Sequence, residues 1–145
     1  MRLLSYVALF AMLGAGFTMA YVMYRQTNTG TVTLHGSPEF VPTETGEMCG
    51  DVDLVVGARM LGLWSLPLED GQMLRASFTV KGNVAADIGL RVLSPANRVV
   101  FFTPQRVHSE ELELGPTIRG IYNFEFDNRH SVFTDKGVKV SVCLT

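Results

Sequence analysis

Three stretches of different hydrophobic pattern follow one another along the chain. Residues 3–24 form an apolar run without a charged side chain. Residues 26–48 are rich in Thr, Gly, Glu and Pro and show no sustained period. In residues 49–145, apolar and polar positions alternate in short segments separated by turns, the pattern of β-strands that bury one face. The pattern predicts one hydrophobic helix, one linker and one all-β domain.

The alternating region contains about seven or eight candidate strands, with turn residues between them and no helical period. Most segments alternate, so one face of each strand is expected in the core and the other in solvent. This arrangement is typical of a two-sheet antiparallel β-sandwich or jelly roll. The candidate strands cover residues 52–56, 60–66, 74–80, 88–92, 99–102, 122–126 and 138–144.

The apolar run is long enough to cross a membrane. A helix over residues 3–24 would be about 33 Å long at about 1.5 Å per residue, and a hydrocarbon core is about 30 Å thick. Only Ser5 and Thr18 are plainly polar, so the run lacks the polar stripe of a helix packed on a soluble core. We expect residues 1–25 to be a transmembrane anchor. A cleaved signal peptide is the alternative, and the apolar residues that follow its candidate site at 18–20 disfavour it.

The orientation of this anchor is weakly specified. Arg2 and the terminal amine lie on one side of the run and Arg25 lies on the other. The short N-terminal tail favours an N-terminus in the cytoplasm or matrix, with the C-terminal domain on the opposite side of the membrane. Small side chains within the run would permit close packing against another helix, although membrane helices are rich in Gly and Ala in any case. The candidate packing residues are Ala11, Gly14, Ala15 and Gly16.

Residues 26–48 are interpreted as a linker stiffened by Pro38 and Pro42, with residues 31–34 as its one candidate strand. Cys49 and Cys143 then bracket the β domain. Outside the cytosol such a pair usually forms a disulfide, here between the first and last strands, whereas in a reducing compartment two inert thiols are expected. Cys143 is out of phase with the inward-facing valines, so the bond should lie at a sheet edge or surface.

Charge and motif content argue against catalysis and against nucleic acid as a partner. Residues 49–145 contain ten Lys and Arg and eleven Asp and Glu, without a basic cluster. No histidine has a metal-ligand partner at the usual spacing, so neither a metal nor another cofactor is expected. Asp127, His130 and Ser131 are too close in sequence to converge on one substrate atom. The acidic residues at 110, 111 and 113 indicate a solvated loop or an edge strand protected by charge.

Three segments of the β domain resemble the GOLD (Golgi dynamics) domain family. They are LEDGQMLRASFTV at 68–80, ADIGLRVLSPANRVV at 86–100 and GIYNFEFDNRHSVFTDKGVKVSV at 120–142. The resemblance implies a β-sandwich and a role in protein–protein contact beside a membrane. Cargo receptors of that family carry the anchor after the domain, so their trafficking role is not implied for a chain whose apolar run comes first. The residues that carry the likeness are Asp87, Gly120, Tyr122, Phe124, Asp127, Asn128, Ser131 and Lys136.

These motif residues are interpreted as structural. Gly120 lets the chain turn into a strand, and Asp127 and Asn128 are Asx-turn formers. Ser131 can satisfy loop backbone groups, and Lys136 precedes the final strand. Phe124 is expected in the core, with Glu125 beside it on the solvent face.

We therefore expect a non-catalytic, membrane-anchored accessory or scaffolding subunit. Its partners would be the bilayer and the other subunits of a membrane complex. The alternative is an anchored sandwich that binds a carbohydrate or lipid through exposed aromatic side chains. The candidates for that role are Trp64, Phe101 or Phe102, and Phe133.

Overall fold

The computed structural model describes residues 29–82 and 86–145, which form a two-sheet β-sandwich of ten strands. Within these ranges no helix is long and apolar enough to cross a bilayer. The expected anchor, with its candidate packing residues Ala11, Gly14, Ala15 and Gly16, lies outside the described residues. The predicted all-β sandwich is confirmed for the part of the chain that the structure describes.

The strands divide evenly between two sheets. Sheet I has the order β1-β4-β9-β6-β7 and sheet II the order β2-β3-β10-β5-β8. Every neighbouring pair is antiparallel except β1 and β4, which run parallel. The strands are β1 (Gly30–Thr33), β2 (Val41–Pro42), β3 (Met48–Val56), β4 (Met60–Leu68), β5 (Leu74–Val80), β6 (Gly89–Leu93), β7 (Val99–Phe102), β8 (Ser109–Leu114), β9 (Gly120–Asp127) and β10 (Lys136–Leu144).

The core forms between the sheets from the side chains that the alternation predicted to face inward. Phe124 of β9 is completely buried and contacts aromatic rings from both sheets. Its ring centroid lies 5.0 Å from that of Trp64 in sheet I and 5.9 Å from that of Phe78 in sheet II. Phe78 also lies 5.7 Å from Phe126, so one aromatic cluster joins the two layers.

The segment interpreted as a linker differs from expectation, because the fold begins inside it. β1 pairs with β4 in sheet I, and β2 pairs with β3 in sheet II. Leu34 is buried in the core, and the indole Nε1 of Trp64 donates a hydrogen bond of 2.8 Å to the carbonyl of Gly36. Strands of four and two residues are too short to show a period, so composition alone suggested a loop.

β8 is the second element that the alternation did not define. It is the outermost strand of sheet II, paired with β5, and carries Glu110, Glu111 and Glu113. The edge-strand interpretation of these acidic residues is therefore confirmed, and their charge disfavours the addition of a further strand.

The disulfide between Cys49 and Cys143 is present. The two residues are direct register partners on β3 and β10, with their Cα atoms 4.1 Å apart. The bond lies on the outer side of sheet II, as the phase of Cys143 predicted. It joins two inner strands of the sheet rather than an edge.

The register gives the sandwich two distinct ends. Gly30 begins β1 opposite Met60, and this end also carries the turn at 57–59, residues 81–82 and 86–88 between β5 and β6, and the loops at 103–108 and 128–135. We call it the β1 end. The opposite end carries the loops at 43–47, 69–73, 94–98 and 115–119. Thr145 also lies there, paired with Met73, and we call it the Thr145 end.

Candidate functional site

The outer side of sheet II is polar and its charges are paired. Lys139 lies 2.9 Å from Asp51, and Lys81 lies 3.0 Å from Asp53. The hydrogen bond from the Lys139 ammonium lowers the pKa of the Asp51 carboxyl. Together with the disulfide, these pairs give sheet II an ordinary solvated surface.

The outer side of sheet I is different, because several large apolar side chains lie there among its polar ones. Leu61 and Leu63 of β4 are half-buried there, and Ile121 of β9 is 56% exposed. At the edge of the sheet, Val99 is 49% and Phe102 is 60% exposed. Register partners show that these side chains share one side of sheet I, together with Leu93. We call this surface the open face.

One ion pair occupies the middle of the open face. The guanidinium of Arg91 donates to the carboxylate of Glu125, and half of the Arg91 side chain remains exposed. Glu125 is only 8% exposed, so the expectation of a solvent position is wrong. Its strand, β9, is the central strand of sheet I, and its register partners Leu63 and Arg91 flank it on either side. A shallow depression of about 220 Å³ beside this pair is also lined by Phe102.

β7 borders the open face and presents a free backbone edge. It is the last strand of sheet I, so only one side of its backbone pairs with a strand among the described residues. Its sequence, Val-Val-Phe-Phe, carries no charge, and Val99, Val100 and Phe102 are exposed. An uncharged, apolar edge strand is the kind that accepts a strand from another polypeptide. The edge strand of sheet II, β8, is acidic and is therefore poorly suited to accept such a strand.

The aromatic residues proposed for a ligand platform do not come together. Trp64 is only 1% exposed and belongs to the core, so its candidacy is wrong. Phe101 is the register partner of the buried Val92 and is partly buried against the core. Phe102 lies on the open face, whereas Phe133 lies in the loop at 128–135.

Asn128 organises the loops at the β1 end. It is completely buried, and its Nδ2 donates to the carbonyls of Val56, Gly57 and Thr134 at 3.2, 3.1 and 3.0 Å. Ser131 accepts a hydrogen bond from the backbone N–H of Thr134 at 3.2 Å and donates to its carbonyl at 2.9 Å. These contacts tie the β9–β10 loop to the β3–β4 turn.

Two motif carboxylates, Asp127 and Asp87, contact basic side chains at the same end. Asp127 accepts hydrogen bonds from Arg129, whose side chain lowers the pKa of that carboxyl. Asp87 lies 3.5 Å from Arg106 and 3.2 Å from His130. His130 contacts Asp87, and Ser131 bonds to the backbone of Thr134.

The remaining motif residues also make structural contacts. Gly120 has a φ of 147°, and a Cβ atom there would come within 2.6 Å of Pro95. The buried Tyr122 accepts a hydrogen bond of 3.2 Å from the backbone N–H of Ile118. Lys136 is the first residue of β10.

One group of three potential metal ligands occurs among the described residues, namely Glu47, Cys49 and Cys143. Both sulfur atoms are joined in the disulfide, and Glu47 is paired with Arg75. Thiolates, not disulfide sulfurs, are the ligands that transition metals bind, so in its oxidised state this group is a structural crosslink.

No family model matches the sequence, and comparison with curated proteins finds no match. Solved structures do share the fold. A periplasmic inhibitor of g-type lysozyme, PliG from Aeromonas hydrophila, is 12% identical over 80% of this chain and 96% of its own, with a TM-score of 0.50. PliG from Salmonella Typhimurium is 10% identical over 80% and 98%, with a TM-score of 0.44. The pre-peptidase C-terminal domain of a Bacillus anthracis collagenase is 9% identical over 78% and 92%, also at 0.44.

The likeness to PliG from Aeromonas hydrophila supports the class of fold, a β-sandwich. The open face itself was missed by the sequence analysis. Ile121 stands at a position that the alternation assigns to solvent, and that placement of a large apolar side chain was the available signal. Leu61 and Leu63 lie in an unbroken apolar run, which does not show which side chains face outward.

Proposed function

We propose that this chain is a non-catalytic accessory subunit, held at a membrane by residues 1–25, that binds another protein through the open face and β7. The observation that carries the proposal is the contrast between the two outer surfaces of the sandwich. The outer side of sheet II carries paired charges, such as Lys139 with Asp51. The outer side of sheet I exposes Ile121, Phe102 and Val99 beside its own ion pairs. Exposed apolar side chains grouped on one surface are typical of interaction sites.

The chemistry of the site favours a polypeptide as the occupant. The exposed edge of β7 offers backbone hydrogen-bonding groups that an extended segment of a partner can satisfy. The apolar side chains beside it would be covered by the same partner, and the half-exposed Arg91 could donate hydrogen bonds to a carboxylate of that partner. A carbohydrate or lipid ligand is less suited, because Trp64 is buried and the exposed aromatics are scattered.

The sandwich is proposed to lie on the non-cytoplasmic side of the membrane. The disulfide supports this, since such bonds persist in oxidising compartments. The fold similarity to PliG contributes the architecture only. PliG shows that a sandwich of this fold can act by binding a protein, and here the surface contrast supports that mode.

The test compares glutamate substitutions on the two outer surfaces of the full chain, purified in mild detergent. Ile121→Glu places a charge on the open face, and Val55→Glu is the matched control, because Val55 is a 64% exposed strand residue on the outer side of sheet II. We expect a stoichiometric partner protein to co-purify with the unmodified chain and with Val55→Glu, but not with Ile121→Glu. A photo-crosslinking residue in place of Phe102 should label the same protein.

Thermal melts keep this test independent of folding, since both positions are exposed and both variants should melt like the unmodified chain. Equal recovery of the partner by the two variants would remove the open face from the proposal. Recovery of only a second copy of this chain would make the surface a homodimer interface.

A further inference from the structure

The end of the sandwich that faces the bilayer can be inferred from where the chain enters the fold. The apolar run ends at Tyr24, and β1 begins at Gly30. Residues 25–29 therefore separate them, and even fully extended they span at most about 18 Å. The sandwich is longer than this, because a strand of nine residues such as β4 extends about 30 Å. The tether thus holds the β1 end close to the membrane.

We propose that the β1 end rests on the lipid headgroups of the bilayer, with Phe133 inserted at the interface. This inference rests on the proposed anchor, and it goes further by assigning a membrane-contacting surface to the folded domain.

Phe133 is the first feature that supports a lipid contact. It is 66% exposed, the largest exposure among the large hydrophobic side chains of the described residues. Hydrogen bonds from Asn128 and between Ser131 and Thr134 hold its loop in place. Asp135 of the same loop accepts a hydrogen bond of 2.7 Å from the backbone N–H of Ala58. The phenyl ring is therefore exposed on an ordered loop at the β1 end, the end at which the tether joins. Aromatic rings at such positions favour the headgroup region.

Charge is the second feature. The two ends differ in the charge of their described loop residues, taken with the strand residue on either side of each loop. The β1 end carries five Lys and Arg against three Asp, whereas the Thr145 end carries two Arg against four acidic residues. A basic end beside an anionic surface is attracted to it, and an acidic end is repelled. The basic residues of the β1 end are Arg59, Lys81, Arg106, Arg129 and Lys136.

A third feature lies next to the tether itself. Thr29 borders a depression of about 520 Å³ that is also lined by Arg106, Arg129 and His130. The two arginines are paired with Asp87 and Asp127, so the attraction there depends on hydrogen-bond donors and not on net charge. A phosphate group at this site could share their donors.

This placement also restricts the occupant of β7. With the β1 end on the bilayer, the strands stand roughly along the membrane normal, and the open face points sideways. Antiparallel pairing of two β7 strands would relate two copies by a two-fold axis across the strands. One β1 end would then point away from the membrane. Symmetric β7–β7 pairing between two anchored copies is therefore disfavoured.

The experiment measures the depth of single tryptophans introduced at the two ends. The full chain is reconstituted into phosphatidylcholine vesicles that contain phosphatidylglycerol, with either ordinary or brominated acyl chains. Phe133→Trp reports on the β1 end. Ile118→Trp is the matched control, because Ile118 is 56% exposed in a loop at the Thr145 end. Trp64 is common to both variants and is buried in the core, so bromine cannot reach it.

We expect brominated lipid to quench the Phe133→Trp variant severalfold more than the Ile118→Trp variant, with a blue shift of the former's emission. Equal quenching of both would mean that the sandwich lies on its side, and stronger quenching of Ile118→Trp would mean that it is inverted. Either result overturns the proposal. An alkaline carbonate wash distinguishes loss of the lipid contact from failure of the membrane anchor. A chain released by the wash refutes both anchor and contact, whereas a retained but unquenched Phe133→Trp variant refutes the contact alone.

Discussion

At the residue scale, the alternation of apolar and polar positions located the core but not its buried polar groups. Phe124, Phe78 and Val140 are buried as the period of two requires. Glu125 and Asn128 are buried as well, and no local pattern indicates this. Burial of Glu125 depends on its neighbours on β4 and β6, and burial of Asn128 depends on three carbonyls brought together by two separate loops.

Replacement of Phe124 tests the assignment of the core. Phe124→Ala should lower the free energy of unfolding by about 3–5 kcal/mol, because it leaves a cavity between Trp64 and Phe78. Ile121→Ala, on the same strand but exposed, should change it by less than about 0.5 kcal/mol. Denaturant unfolding of the two variants provides the measurement. Similar midpoints would show that the register of β9 is not the one described.

At the element scale, long alternating segments were predictable and short ones were not. β5, β9 and β10 have seven to nine residues, enough for the period to stand out. β1 and β2 have four and two, and β8 has only two apolar positions among its six residues. Their existence depends on neighbouring strands that offer backbone partners, and a sequence does not show these directly. The exposure of β7 was not predictable either, because an apolar segment has the same sequence pattern at the edge of a sheet as at its centre.

The disulfide crosslinks two elements, β3 and β10. Cys49 and Cys143 are separated by 94 positions, so the bond closes a long loop of the unfolded chain. Joint replacement by serine should lower the free energy of unfolding by about 2–5 kcal/mol without changing the pairing of β3 and β10. Thermal melts of the double variant and of the unmodified chain, each with and without reductant, measure this. Reductant should lower the melting temperature of the unmodified chain alone.

Thiol labelling of intact membranes then relates the bond to location. If the domain lies outside the cytosol, Cys49 and Cys143 should resist labelling under denaturing conditions until a reductant is added. Quantitative labelling without reductant would show that the bond does not form in the cell.

At the scale of the whole molecule, the sequence and the structure contribute different parts of one arrangement. The apolar run and the tether come from the sequence, and the position of Gly30 at one end of the sandwich comes from the fold. The linker interpretation had left the domain free to move at a distance from the bilayer. Because the fold begins at Gly30, only residues 25–29 separate the run from β1. This short connection limits how the domain can be oriented on a bilayer.

The last prediction concerns the anchor. A simple tether would tolerate any apolar sequence of equal length, because the bilayer core responds to hydrophobicity rather than to the order of side chains. An anchor that packs against a partner helix depends instead on small residues, since bulkier side chains prevent close approach. We expect the double substitution Gly14→Leu and Ala15→Leu to leave the protein inserted after an alkaline wash, yet to reduce partner recovery in mild detergent.

The melting temperature of the sandwich provides the control, because both substitutions lie outside the β domain and should leave it unchanged. Comparison with Ile121→Glu then shows whether the helix or the open face is needed to hold the partner. If the leucine variant loses the partner and Ile121→Glu retains it, the helix carries the assembly, and the reverse result assigns it to the open face. Loss of the partner by both variants would mean that neither contact suffices alone. This is expected when two weak contacts are joined in one chain, because the first contact raises the effective concentration for the second. Full recovery of the partner by the leucine variant would show that the anchor serves only as a tether.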